Sequence, residues 1–218
     1  MNSLLINLLC TCPEAASLTT INVPTCLEDF GQIQKLIFQR RKNGSTINSF
    51  TIASSNPALQ ASWTPLLTAA DSTKAVVTPN VEDFTNEPGE AIRFGGGNQT
   101  LNGVERIVGK NPTSNSGMFY SLPAEAAEQL EGLKCEDIAV FLINEHGQIA
   151  GINDDNASPT IFKGIPIQPR TYFFGDKKLG GKDEPDAHAI SFFFGPNWSK
   201  NFHVVTPTDF DALQDLDQ

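Results

Sequence analysis

The sequence predicts a mainly β, α+β fold: an antiparallel β-sandwich or β-barrel with one flanking helix and long loop arms. Three observations carry this. Roughly eight short apolar-rich segments are bounded by Gly, Pro and Asn turn signals. One segment alone has the composition and caps of a strong helix. Hydrophobic residues make up 39% of 218, enough for a real core.

Residues 1–30 show scattered apolar side chains and no clear period, and read as an extended N-terminal arm. One β-rich domain follows over 31–208. The run "GQIQKLIFQRR" is its first strand: Ile33 and Ile37 flank Lys35 on one face, and Leu36 and Phe38 break strict alternation, so both faces are expected to be covered. "KNGS" is an Asn-Gly turn, and "INSFTIA" reads as the returning strand of a hairpin over 32–53. Asn56 and Pro57 suggest a helix start, and Pro65 should keep that helix short because it disfavours α geometry at Thr64. "KAVVTP" is a short strand.

"PAEAAEQLEGLK" is the strong helix, opening at Pro123 and ending near Gly132. "CEDIAVFLINEHGQIAGI" predicts a hairpin turning at His146-Gly147, and "PTIFKGIPI" and "RTYFFGD" supply further strands. "AHAISFFFGP" and "NFHVVTP" read as a last antiparallel pair, which puts His188 and His203 on neighbouring strands. The acidic tail, 209–218, carries Phe210, Leu213 and Leu216 at a spacing suited to docking.

Charge narrows the function. The chain has 25 acids against 15 bases, a formal charge of −10 and a pI near 4.7, which argues against a surface that grips nucleic acid through clustered Lys and Arg. No apolar run approaches the roughly 20 residues of a membrane helix. "LLINLL" near the start is shorter than a secretory core and follows no basic residue, so synthesis in the cytoplasm is expected, and the Asn-x-Ser/Thr matches are chance. Cys10, Cys12 and Cys26 are spaced C-x-C-x13-C with no histidine nearer than His146; free thiols are the expectation, with a metal cluster as the alternative.

The most suggestive stretch for chemistry is "FGGGNQTLNGVERIVGKNPTSNSG", residues 94–117. A phosphate-cradling loop of the Walker kind needs a hydroxyl residue straight after Gly-Lys; Asn111 and Pro112 follow Gly109-Lys110 instead. A dinucleotide fingerprint needs a third glycine where Thr100 stands. "NDDN" at 153–156 lacks the rest of a calcium loop. No catalytic residue, cofactor or metal is assigned, and no enzymatic activity is expected. What remains are two long polar loops, 95–116 and 175–186, and the N-terminal arm. Long structureless loops usually serve a function, and here they suit contacts between subunits. Gly95, Gly96, Gly97, Asn98, Asn102, Lys110 and Asn111 are the candidate inter-subunit residues.

The succession "GQIQKLIFQRR…FTIAS", "VVTPNVEDFTNEPGEAIRFGGGNQTLNG", "NPTSNSGMFY" and "DIAVFLINEHGQIAGI" resembles virion structural proteins of tailed phages that infect Bacteroidetes, including the crAss-like group, from about Gly31 onward. The resemblance implies a tail-tube-like subunit that forms a homo-oligomeric ring or tube in the tail or head–tail connector. It implies neighbouring tail or connector proteins as partners, DNA as transient non-specific cargo, a location in the virion tail and no membrane. Acidic charge suits a conduit that must not retain DNA, and Glu82, Asp83, Glu87 and Glu90 form the densest early acidic cluster as candidate lumen residues. The alternative is a receptor- or glycan-binding module using Trp63, Trp198, Tyr120 and Tyr172 to stack on sugars; a third reading is a hydrolase built on His188 or His203.

Overall fold

The computed structural model describes residues 29–99, 101–156 and 158–217; the N-terminal arm up to residue 28, with Cys10, Cys12 and Cys26, lies outside them. The strands are β1 (Ile33–Arg40), β2 (Lys42–Asn43), β3 (Thr46–Ile47), β4 (Phe50–Thr51), β5 (Ala75–Val77), β6 (Glu82–Glu87), β7 (Ala91–Gly95), β8 (Glu105–Lys110) and β9 (Thr113–Tyr120). They continue as β10 (Ile138–Asn144), β11 (Ile149–Asn153), β12 (Ile161–Lys163), β13 (Ile165–Pro166), β14 (Phe173–Phe174), β15 (Ala187–Phe194) and β16 (Phe202–Val205). Two helices flank them among the described residues, α1 (Gln60–Leu67) and α2 (Ala124–Glu131).

The predicted β-rich α+β architecture is what forms. An eight-stranded sheet runs β4-β12-β11-β10-β1-β5, with β13 on β10 and β16 on β11, and a four-stranded sheet runs β14-β15-β9-β6. Every pairing is antiparallel. The two-residue period of a strand sends successive side chains to opposite faces, and the central strands are apolar on both. Leu36, Phe38, Val140 and Leu142 enter a first core, where Phe119, Ile190, Phe192 and Phe194 of the smaller sheet meet them. Ile37, Phe141 and Ile143 enter a second core on the far face, closed by Trp63 and Leu67 of α1 and by Ala212 and Leu216 of the C-terminal tail. A bulge between Ile33 and Lys35 switches faces, so Ile33 packs against the first core and not with Ile37.

The second core is an aromatic cluster. Trp63 lies 4.6 Å from Phe50 and 5.2 Å from Phe141, ring centroid to ring centroid, and its indole N–H donates to the Pro57 carbonyl at 2.8 Å. The acidic tail is strapped over this core. Lys35, 5% exposed, donates to both carboxylate oxygens of Asp217 at 2.6 Å and to the Leu213 carbonyl at 2.5 Å. The expected apolar anchors Leu213 and Phe210 pack there as well.

Three local expectations are corrected. The Asn43-Gly44 turn closes only the small β2–β3 hairpin, and β4 pairs with β12, because β1 is claimed on its two sides by β10 and β5. Pro65 does not end α1 but sits inside it; the helix starts later than Pro57, after the turn in which Asn56 accepts from the Ala58 amide. β15 and β16 are not a pair: the left-handed Asn197 and the 3-10 turn Trp198–Asn201 carry the chain from the small sheet to the large one.

Replacing Trp63 by Ala should lower unfolding free energy by about 3–5 kcal/mol in a denaturant melt, since it removes a fully buried indole packed on Phe50 and Phe141 and leaves a cavity. A pH dependence follows from Asp154, whose carboxylate accepts from the Thr160 hydroxyl and from the amides of Thr160 and Ile161. These bonds, the Thr160 hydroxyl foremost, hold its pKa below the ordinary carboxylate value. A depressed folded pKa stabilises the fold at pH above the unfolded value and loses that contribution as pH falls through the folded one. The stability gap between wild type and Asp154→Ala should therefore be full at neutral pH and narrow below about pH 4 in melts at stepped pH.

Candidate interaction site

Half of the span 95–116, expected as a loop, is strand. β7 and β8 form a two-stranded hairpin inserted between β6 and β9, and residues 96–99 and 101–104 lie at its tip. The alternation of Ile92, Arg93 and Phe94 and the β-branched pair Ile107-Val108 are the signals for it, and the glycine run between them masks both. Gly95, Gly96 and Gly97 have φ of 94°, 104° and 54°, and Asn102 a φ of 63°, backbone that glycine adopts without strain and asparagine tolerates. Two short 3-10 turns, Gly97–Gln99 and Leu101–Gly103, build the tip. The candidate residues thus separate: Gly95, Gly96, Gly97, Asn98 and Asn102 are at or beside the tip, whereas Lys110 and Asn111 are at the root.

The root is tightly clamped. The Asn111 amide donates to the Glu90 carbonyl at 2.9 Å. A Cβ on Gly89 would lie 1.8 Å from the Asn111 carbonyl oxygen, so the two chains cross at a distance only glycine permits.

Beyond the root, no described hairpin residue belongs to either hydrophobic core. Ile92, Phe94, Ile107 and Val108 are exposed, Phe94 at 60% and Ile107 at 67%. The cross-strand register pairs Phe94 with Arg106 and Arg93 with Ile107, which puts an apolar and a basic side chain together on each face. Arg93 reaches Glu105 at 3.5 Å; among the described residues Arg106 and Lys110 make no ion pair. Three bases against the one acid Glu105 give residues 91–110 a formal charge of +2 in a chain of −10.

The acids cluster next door. Glu82, Asp83 and Glu87 lie exposed on β6, the edge strand of the small sheet, and Glu90 sits exposed at the hairpin root. Asp83 occupies a bulge with φ 51° and accepts from the Tyr120 hydroxyl at 3.1 Å, a bond that raises the pKa of that phenol. The four strands of the small sheet contain no Lys or Arg. Their outward face alternates Ser114, Ser116, Met118 and Tyr120 on β9 with Ala189, Ser191 and Phe193 on β15.

The other candidate residues scatter. His188 is buried, stacked 5.1 Å from Phe174, with Nδ1 3.0 Å from the Gly175 carbonyl; His203 is exposed on the other sheet. Trp63 and Tyr172 are core residues, the Tyr172 hydroxyl donating to the Leu130 carbonyl, and Trp198 donates to the Thr113 hydroxyl. Among the described residues no group of three or more His, Cys, Asp or Glu is placed to hold a metal ion, and no helix is long and apolar enough to cross a membrane.

No protein-family model and no curated protein sequence matches the chain. Among solved structures, it is similar to a chain in the tail of an empty gene transfer agent particle with C6 symmetry. There the identity is 10% over 59% of this chain and 82% of that one, with a TM-score of 0.32. It is also similar to a chain in the virion of a native gene transfer agent particle, at 10% identity over 62% of this chain and 89% of that one, with a TM-score of 0.34.

Proposed function

We propose that the protein is a non-enzymatic virion structural subunit that assembles with copies of itself into a ring or tube of the tail or connector. The observation that carries this reading is the β7–β8 hairpin. A two-stranded ribbon is at best marginally stable alone in water, and this one is held at a rigid root while its apolar side chains are bare on both faces. An arm with that composition is suited to burial against another subunit. The resemblance of the sequence to phage tail proteins supplies the setting, with tail or connector proteins as neighbours. The small sheet, with acids on its edge strand and no Lys or Arg on any strand, suits a wall past which DNA moves without being held. On this reading Glu82, Asp83, Glu87 and Glu90 face that side.

The test is mass photometry with negative-stain imaging over a concentration series. Rings or stacked tubes are expected at high concentration; a monomer throughout would sink the self-assembly reading. Phe94→Asp combined with Ile107→Asp should abolish assembly while leaving the melting temperature within about 2 °C, since neither side chain belongs to a core. Gly89→Ala should lower assembly too, but by displacing the hairpin root, and should open a new site in 88–112 to limited proteolysis.

A further inference from the structure

The open face of the small sheet ends in a cavity of about 480 Å³, lined by Glu82, Met118, Tyr120, Lys178, Glu184 and Ala187. Its walls are fixed. Lys178 and Ala187 exchange backbone hydrogen bonds at 2.8 and 3.0 Å, and the Ser121 amide donates to the Asp186 carbonyl at 2.8 Å. Lys178 is paired with Glu184 at 3.1 Å, which leaves Glu82, with Asp83 beside it on the Tyr120 hydroxyl, as uncompensated negative charge. A tyrosine ring, a thioether and carboxylates together favour a guanidinium on an apolar stem: the ring face attracts the cation, and the carboxylates accept its N–H groups.

The hairpin carries that chemistry. Arg106 stands opposite Phe94 on one face, both are exposed, and Arg106 has no ion-pair partner among the described residues. Donor and acceptor sit at opposite ends of the same sheet. The cavity is at the Glu82–Met118 and Tyr120–Ala187 rungs, whereas the hairpin leaves from the end marked by the Glu87–Ser114 and Thr113–Phe194 rungs. Five residues of strand, about 17 Å, separate the two ends along β6. A contact between unlike patches at opposite ends of one molecule is heterologous and repeats from copy to copy.

We infer that the cavity at the Glu82–Tyr120 end of the small sheet is the acceptor for the Phe94–Arg106 face of the hairpin of a second copy. This rests on the self-assembly reading and adds the partner surface to it; it moves Glu82 from the open wall to the junction between copies.

The experiment is disulfide trapping between two full-length variants, Phe94→Cys and Met118→Cys, mixed and oxidised, with the linked peptides identified by mass spectrometry. A 94–118 link between copies is expected in the mixture and in neither variant alone. Adding Arg106→Glu to the first variant should cut its yield roughly tenfold or more, and adding Glu82→Lys to the second as well should restore part of it. Rings or tubes that form without a 94–118 link would overturn the acceptor assignment and leave self-assembly standing. A link whose yield ignores both charge changes would overturn the guanidinium contact. Neither assembly nor link at any concentration would overturn both readings together.

Discussion

Strands β1 and β10 lie side by side in the large sheet, and almost nothing they carry is allowed to reach water. Along β10 every residue from Ile138 to Asn144 is buried, and along β1 so is each from Lys35 to Gln39. A sheet apolar on one face needs one covering layer; this one needs two. The smaller sheet covers one side, and α1 with the C-terminal strap covers the other. The strap is a consequence of that demand. Without Ala212 and Leu216, the aromatic cluster around Trp63 would be open to water, and Lys35 would be a buried cation without its carboxylate.

That three-layer arrangement decides which surfaces are left over for other molecules. Both faces of the large sheet are used up inside the molecule. Among the described residues, what stays open is the outward face of the small sheet and the hairpin that its connection β6–β9 throws out. The two differ in charge as well as in place: the sheet strands hold acids and hydroxyls and no Lys or Arg, and the hairpin concentrates three bases with exposed Phe and Ile. A chain of net charge −10 repels its own copies, so a basic, apolar arm is the part of it best able to approach another copy.

Much of the fold was legible in the sequence because the β10–β11 hairpin, α2 and β5 have signals that are local: a continuous apolar run with a Gly147 turn, a capped Ala/Leu/Glu stretch, a short β-branched run. What local signals miss is pairing. "INSFTIA" and "NFHVVTP" each follow a turn, and a local reading pairs each with the strand before it. Their partners β12 and β11 lie far away in sequence, and no local rule encodes that choice. The hairpin is legible as a glycine-rich stretch and not as a structure. The glycines at 95–97 signal the left-handed backbone found there, but the same run hides the strands that lead to and from it.

The root of the hairpin joins these threads. Glu87 is the last ladder residue of β6, Thr113 the first residue of β9, and between them the chain leaves the sheet and returns through a crossing so close that Gly89 can have no side chain. A floppy insertion would have no need of such a crossing. A clamped root fixes the direction in which the arm leaves, so the ordering entropy of its first residues is met during folding and not at the moment of contact. Preorganisation of this kind matters most for a contact repeated at every subunit, because any penalty at one junction recurs at all of them. On the proposed reading, the tight glycine crossing, the bare apolar ribbon and the cavity at the far end of the sheet are three parts of one repeating joint.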